Sequence, residues 1–372
     1  MSQHGNTDGH SLMALVWAGL CLTLLTACAS PASPPASPTP APPLAIAPRI
    51  GLSDRIVDLA ASYASHTDRA RSLSSTFQNA DEVASELRQA SAYKVSDFEA
   101  GAIAYGAVVA LQDPAFITAI SAYARDPGRR LAFAELLNAN PASINALAGT
   151  RHAADQVVGA IDGHGQALFS KGLVIKQSAY SIQHQAWSKT MVNGRPQRLA
   201  EVKALGEQGL APDRQTTDLM QRVSSGPSRE RLGPQEAPER PGQANTALVT
   251  RALAVAALAV LGEVRNDHDD QALSLMQDGS THRCLTMAKL NLYQCLAVAG
   301  PHYEDVFCMG QHAVKDTGQC LIEAAGAPID PALLAENARL AAASRAAAMA
   351  IPTLAATKTA RAKRTDARKR GR

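Results

Sequence analysis

The chain has 372 residues, 46% of them apolar, so it can bury a sizeable core; aromatic residues are only 4%, which excludes a Trp- and Tyr-faced stacking platform for sugars or single-stranded nucleic acid. The formal net charge of +3 conceals an asymmetry: Lys358, Arg361, Lys363, Arg364, Arg368, Lys369, Arg370 and Arg372, less Asp366, place +7 in the last fifteen residues and leave −4 on the rest. The basicity is therefore a tail, and no nucleic-acid partner is expected.

After ten polar residues, Ser11 to Ala27 form an uninterrupted apolar stretch. Its length suits the h-region of a secretion signal and is marginal for a membrane-spanning helix. The stretch ends in Leu25-Thr26-Ala27-Cys28, a branched apolar residue, two small ones and a cysteine. This resembles the lipobox of bacterial lipoproteins. The resemblance implies a signal peptide over 1–27, cleavage before Cys28, and acylation of both its thiol and the new amino terminus. Several acyl chains, at about 0.8 kcal/mol per buried methylene, anchor essentially permanently. The n-region departs from the family pattern in having no Lys or Arg, only His4 and His10. Residues 28–48 are an uncharged Pro/Ala/Ser tract, extended by its prolines as a tether should be. Ala29 and Ser30 lack the aspartate that retains many lipoproteins at the inner membrane, so the resemblance implies an exported protein on the outer membrane, facing the periplasm.

Residues 49–223 read as a helical region. Leu52, Ile56, Leu59 and Tyr63 fall at helical spacing behind Ser53. Asn79 precedes an acidic first turn, Asp81 and Glu82, with Val83 and Leu87 on one face. Ser96-Asp97-Phe98-Glu99 fits a capping box ahead of Ile103, Ala107, Val108 and Leu111. Asp113-Pro114, Asp126-Pro127 and Asn140-Pro141 each offer a capping side chain, then a proline at the first helical position, where its missing N–H costs nothing. A longer helix is predicted over 166–191. Tyr180, His184 and Trp187 share one of its faces and read as core packing rather than a groove. No run of alternating β-branched residues indicates a strand.

Residues 224–246 are rich in Pro, Gly and charge, the composition of a linker or long mobile loop. Residues 247–264 are nearly all apolar, yet Arg251 and abundant alanine favour a buried helix over a membrane span. They open a second helical region over 247–351. An alanine-rich helix follows Asp330-Pro331, Pro352 ends or kinks it, and 352–372 is a basic, disordered tail.

Of six cysteines, Cys21 leaves with the signal and Cys28 takes the lipid. The others, Cys284, Cys295, Cys308 and Cys320, fall within 37 residues. An even cluster in an exported chain implies disulfides. Residues 282–299 and 303–324 read as helices on either side of Gly300-Pro301, a C-cap glycine and a helix stop. Within one helix Cys284 and Cys295 stand about 16 Å apart at 1.5 Å per residue, beyond the roughly 4.4–6.8 Å between Cα atoms that a disulfide spans. In an antiparallel hairpin, residues equidistant from the turn face each other, and the midpoints of 295/308 and 284/320 both fall at residues 301–302. The expected bridges are therefore nested, Cys295–Cys308 inside Cys284–Cys320. As architecture this resembles the coiled-coil-helix–coiled-coil-helix hairpins, although the intervals hold ten and eleven residues where the commonest form has nine. Eleven residues advance about 20° around a helix but twelve about 120°. Cys308 and Cys320 share a face only if their helix is broken or starts late, as Gly310 and Gly318 would allow.

Ser91-Ala92-Tyr93-Lys94 matches the S-x-x-K of penicillin-binding enzymes, but no Lys-Thr-Gly or Ser-x-Asn accompanies it, and Lys94 reads as a solvated residue at a helix end. H-E-x-x-H, G-x-S-x-G and a phosphate loop are missing. No catalytic residue and no cofactor is assigned. His302, Asp305 and His312, with Glu304, gather near the hairpin turn and are candidate metal ligands; Asp267-His268-Asp269-Asp270 is a second polar cluster. Both read more simply as polar residues at helix ends. The basic tail suits attachment to an anionic envelope polymer or lipid, at about 1 kcal/mol per Lys or Arg. Taken whole, the chain is expected to be all-α, an irregular multi-helix bundle with a disulfide-stapled helical hairpin. The function expected is that of a non-enzymatic scaffold, assembly or partner-docking module, held to the membrane by its lipid, with a protein partner not identified by sequence. The competing expectations are a cell-wall hydrolase with a site assembled from scattered residues, or a carrier of metal or a small molecule.

Overall fold

A computed structural model describes residues 50–209, 211–234, 240, 242–343, 345 and 346. The signal, Cys28, the tether and the basic residues from Lys358 to Arg372 lie outside them. The fold is all-α; among the described residues extended pairing is limited to the isolated bridges Met191–Pro301 and Arg265–His268.

Local capping chemistry explains several of the helix starts. α1 (Asp54–Ser72) is followed by α2 (Ala80–Ser91). There the Asn79 side chain accepts from the Glu82 N–H at 3.0 Å, and the Glu82 carboxylate reaches back to the Gln78 N–H at 2.8 Å. α3 (Val95–Ala110) leads to α4 (Pro114–Ala124) and α5 (Pro127–Ala139), whose first turns donate to Asp113 and Asp126 as the Asp-Pro pairs predict. Asn140-Pro141 differs. Asn140 makes no capping bond, and Pro141–Ala146 winds only as a 3-10 turn. The predicted capping box at Ser96–Glu99 does not form either, because Glu99 is buried and bonded to residues almost two hundred positions further on.

α6 (Arg151–Ile182) starts and stops earlier than the helix expected over 166–191. Tyr180 lies in its last turn, His184 is exposed beyond its end, and Trp187 opens a short 3-10 turn, so the three share no helical face. α7 (Arg195–Gly206) and α8 (Arg214–Val223) follow. The described part of 224–246 then lies against the helices: the Leu232 N–H donates to the Gln112 side chain at 3.0 Å, and Arg240 pairs with buried Asp155 at 3.0 Å.

α9 (Ala247–Leu261) buries thirteen of its fifteen side chains. It crosses α3 where both surfaces are small; a Cβ on Gly106 would stand 2.9 Å from that of Ala252. One hydrophobic core holds Tyr63 and Val108 together with Leu253 and Leu296, so the segments on both sides of 224–246 build the same interior. Among the described residues no single helix is long and apolar enough to cross a membrane; α3 and α4 have the length and composition only as a pair bent by 91°.

After α10 (Asp270–Ser274), the cysteine hairpin consists of α11 (Gly279–Val298), α12 (His302–Cys308), a π-helical stretch over Met309–Lys315, and α13 (Asp316–Ala325). The sulfurs of Cys284 and Cys320 are 2.00 Å apart and those of Cys295 and Cys308 2.05 Å, with Cα separations of 5.6 and 5.7 Å. The π stretch answers the twelve-residue spacing. A wide turn accommodates about one residue more than an α turn, so Cys308 and Cys320 come to one face without a break. Gly310 and Gly318 serve a different purpose from the one expected: they admit α6. A Cβ on Gly310 would lie 2.6 Å from the Lys176 nitrogen, and one on Gly318 would lie 2.5 Å from that of Phe169. Gly172 and Gly165 answer them from α6. Nor is Gly300 a left-handed cap; its N–H donates to the Glu304 carboxylate at 2.7 Å, which closes the turn. A last helical segment covers 331–343.

Candidate functional site

The inward seam of α11 carries Leu285, Leu292 and Leu296, all buried. Lys289 is four residues after the first and three before the second, so helical periodicity turns it inward with them. It is 7% exposed. Its Nζ donates to the carbonyls of Ser91, 3.1 Å away, and Gly206, 3.4 Å away. These are the last residues of α2 and α7, where carbonyls lack helical partners and the dipole favours a cation. The Tyr93 ring centroid is 4.1 Å from the same nitrogen, a cation–π contact. Among the described residues no carboxylate comes within ion-pair distance of Lys289. Burial pushes its pKa down to about 8, with Glu207 pulling the other way.

A pocket of about 280 Å³ opens beside this lysine. The start of α3 contributes Lys94, Val95 and Ser96; the end of α7 contributes Gly206 and Glu207; α11 contributes Lys289, Leu290 and Tyr293. α3 begins without a side-chain cap, so the positive end of its dipole is directed at the pocket wall. Gly206 is required by space: a Cβ there would stand 2.8 Å from Lys289 Nζ and overlap the Tyr293 hydroxyl. Burial pushes the Tyr293 phenol up.

Behind the pocket the few aromatic residues collect. His66 packs on Tyr93 and Phe98 with centroids 4.8 and 5.3 Å away. It is buried, and its Nδ1 has no hydrogen-bond partner. Burial pushes its pKa down to about 3, and the positive charges of Arg69 and Lys289 add to the effect. The Tyr93 hydroxyl bonds that of Thr317 at 3.0 Å. Beside the pocket, the Glu99 carboxylate receives the Asp278 N–H and stands 2.8 Å from His282 Nδ1. Asp278 in turn caps α11, accepting from the Thr281 N–H at 3.2 Å. Its burial opposes ionisation, yet the bonds from Thr281 and Ser280 hold its carboxyl below the ordinary value.

The residues singled out in the sequence are dispersed. The Ser91 hydroxyl donates to its own helix at Leu87 and Lys94 pairs with Asp97 at 3.9 Å, so S-x-x-K is not a nucleophile beside its base. Lys94 instead borders the lysine pocket, and the Ser91 carbonyl accepts from Lys289. Of the candidate metal ligands, Asp305 is engaged by the Arg198 guanidinium and His312 Nδ1 lies 2.8 Å from Asp316, while His302 starts α12 with its backbone N–H donating to the Thr190 carbonyl at 3.3 Å. Asp269 accepts from Ser53 at 2.7 Å and Asp267 pairs with Arg265 at 3.3 Å. Among the described residues no group of three or more His, Cys, Asp or Glu is placed to hold a metal ion. Cys28 and the tail lysines and arginines lie outside the described residues. Lys289, Tyr293 and His66 were not distinguished by sequence, and Glu99 only as part of a capping box. The usable signal was a lysine interrupting the seam Leu285, Leu292, Leu296.

No protein-family model, no curated protein and no solved structure matches this chain.

Proposed function

We propose that the chain is a lipid-anchored protein of the bacterial envelope, held through Cys28 to the outer membrane on its periplasmic side, and that its helical body is a non-enzymatic docking module. The observation that carries this reading is the conjunction of lipobox and Pro/Ala tether at one end with a doubly bridged hairpin at the other, the sulfur chemistry of an oxidising compartment. A stapled helical hairpin set on one rigid core presents a fixed surface, which suits docking more than it suits an induced-fit enzyme. The basic residues from Lys358 to Arg372 supply a second, electrostatic attachment to anionic lipid or polymer.

Labelling cells with an alkyne fatty acid tests the anchor. Wild-type protein is expected to carry the label and to sediment with outer membrane, and Cys28→Ser to lose the label and appear in the soluble periplasmic fraction. An unlabelled wild type, or free thiols at Cys284, Cys295, Cys308 and Cys320 in intact cells, overturns the reading. A clearing zone on a peptidoglycan zymogram would overturn its non-enzymatic part.

A further inference from the structure

We propose that the pocket beside Lys289 binds a small organic monoanion, a carboxylate carried on a short apolar body, with the carboxylate meeting Lys289 Nζ. The inference rests on the pocket alone and holds wherever the chain resides.

A buried charge is normally paired within the protein, as Lys315 is with Asp316 at 3.0 Å. Buried Lys176 bonds the neutral Gln311 amide at 2.7 Å, which itself bonds Asp316 at 2.9 Å. Lys289 is met by the two carbonyls and the face of the Tyr93 ring, all of them uncharged. Among the described residues no counter-ion neutralises it, and it lines a wall open to an outside ligand. The Lys94 ammonium stands at the rim, its charge shared with Asp97 at 3.9 Å in the first turn of α3. Exposed Glu207 is the one acidic residue of the lining, which favours a single negative charge over a dianion. Val95, Leu290 and the Tyr293 ring supply apolar wall for the body of the ligand. A volume of about 280 Å³ is roughly twice the ~150 Å³ cavity that accepts benzene, enough for one ring with its carboxylate or for a chain of about six carbons.

Benzoate and its neutral isostere benzamide make the test, titrated by calorimetry and amide NMR into the full chain carrying Cys28→Ser, which dispenses with detergent. Benzoate is expected to shift amides around Val95, Lys289 and Tyr293 and to bind at least about tenfold more tightly than benzamide, as a charge-assisted bond requires. Lys94→Glu, at an exposed rim position, is expected to weaken benzoate about threefold or more while leaving thermal unfolding unchanged and benzamide unaffected. Lys289→Gln, which retains donors for Ser91 and Gly206, is expected to reduce benzoate to the level of benzamide. Should that variant not fold, the pH series on the parent decides. Around the pocket stand Lys94, Glu207, His282 and Tyr293, with neutral His66 behind. Lys289, with its pKa at about 8, loses its proton between about pH 7 and 9.5, so benzoate affinity should fall about tenfold over that range while benzamide stays level. Equal affinity for the two ligands, or benzoate shifts confined to residues away from Val95, Lys289 and Tyr293, overturns the proposal.

Discussion

His66 is a polar ring enclosed by Tyr93 and Phe98, with a buried nitrogen that nothing in the fold satisfies. Such a ring is tolerated only while neutral. Its pKa is about 3 in the folded chain and about 6.5 when unfolded. Between those values the unfolded chain binds a proton that the folded chain refuses. The stability from keeping His66 neutral is therefore complete above about pH 6.5 and is lost as the pH falls towards 3, by about 2 kcal/mol at pH 5. Asp305 works in the opposite sense. Burial pushes it up to about 6 against the attraction of Arg198, so it favours the folded state at low pH and loses that contribution as the pH rises through 6. The informative measurement is therefore the difference between wild type and His66→Phe, which preserves the ring and removes the titration. Urea unfolding at pH 7 and 5 is expected to show the variant gaining about 2 kcal/mol on the wild type over that interval. Parallel losses in the two proteins would assign the acid sensitivity to another group.

At the scale of elements, the same substitution has opposite signs at two positions of α6. Gly163 has open space where its Cβ would go, so Gly163→Ala gains helix propensity and is expected to stabilise by about 0.5–1 kcal/mol. Gly172 faces the backbone of the π stretch; a Cβ would lie 2.6 Å from the Gly310 carbonyl oxygen and meet the Lys315 N–H. Neither obstacle can rotate aside, so Gly172→Ala is expected to cost about 1–3 kcal/mol through forced separation of the helices. Chemical denaturation of the two variants checks the pair, and a stabilising Gly172→Ala would refute the close crossing. These glycines also show why α6 was only partly legible. In the sequence, Gly163 and Gly165 look like helix breakers and invite a start at 166, whereas one is merely exposed and the other admits Gly318 and Ile322. The Asp-Pro starts of α4 and α5 were legible because their chemistry lies within four residues. The nested cysteine pairs were legible because equal distance from a turn is a property of the chain itself. The π turn was visible only as a misfit, since a 3.6-residue period leaves twelve-residue neighbours on different faces. Glu99 was misread and Lys289 passed over for one reason: a charged residue in a helix defaults to solvent or a cap until the packing of distant segments makes it interior.

The whole molecule poses a question that composition alone left open, whether the regions before and after 224–246 form one interior or two. α3 packs on α1 and, from the later part of the chain, on α9, while α6 finds its main partners in α13 and the π stretch, which also come later. Without them Gly106 on α3 would lose its contact with Ala252, and Gly165, Leu168 and Gly172 on α6 would lose the surface that covers them. A core of nearly three hundred residues is close to the size at which chains divide into domains, yet the described part of 224–246 is itself bonded to the region before it, Leu232 to Gln112 and Arg240 to Asp155. With both disulfides intact, guanidinium unfolding is accordingly expected to be a single transition, with far-ultraviolet dichroism, tyrosine fluorescence and near-ultraviolet dichroism giving coincident midpoints. A fragment ending at Val223 is expected to retain some helix but to show neither fixed near-ultraviolet signal nor a cooperative melt, because its largest apolar faces have lost their partners. Two separated transitions, or a fragment that melts cooperatively by itself, would mean that the regions fold independently and that the contact between α3 and α9 joins domains rather than building a core.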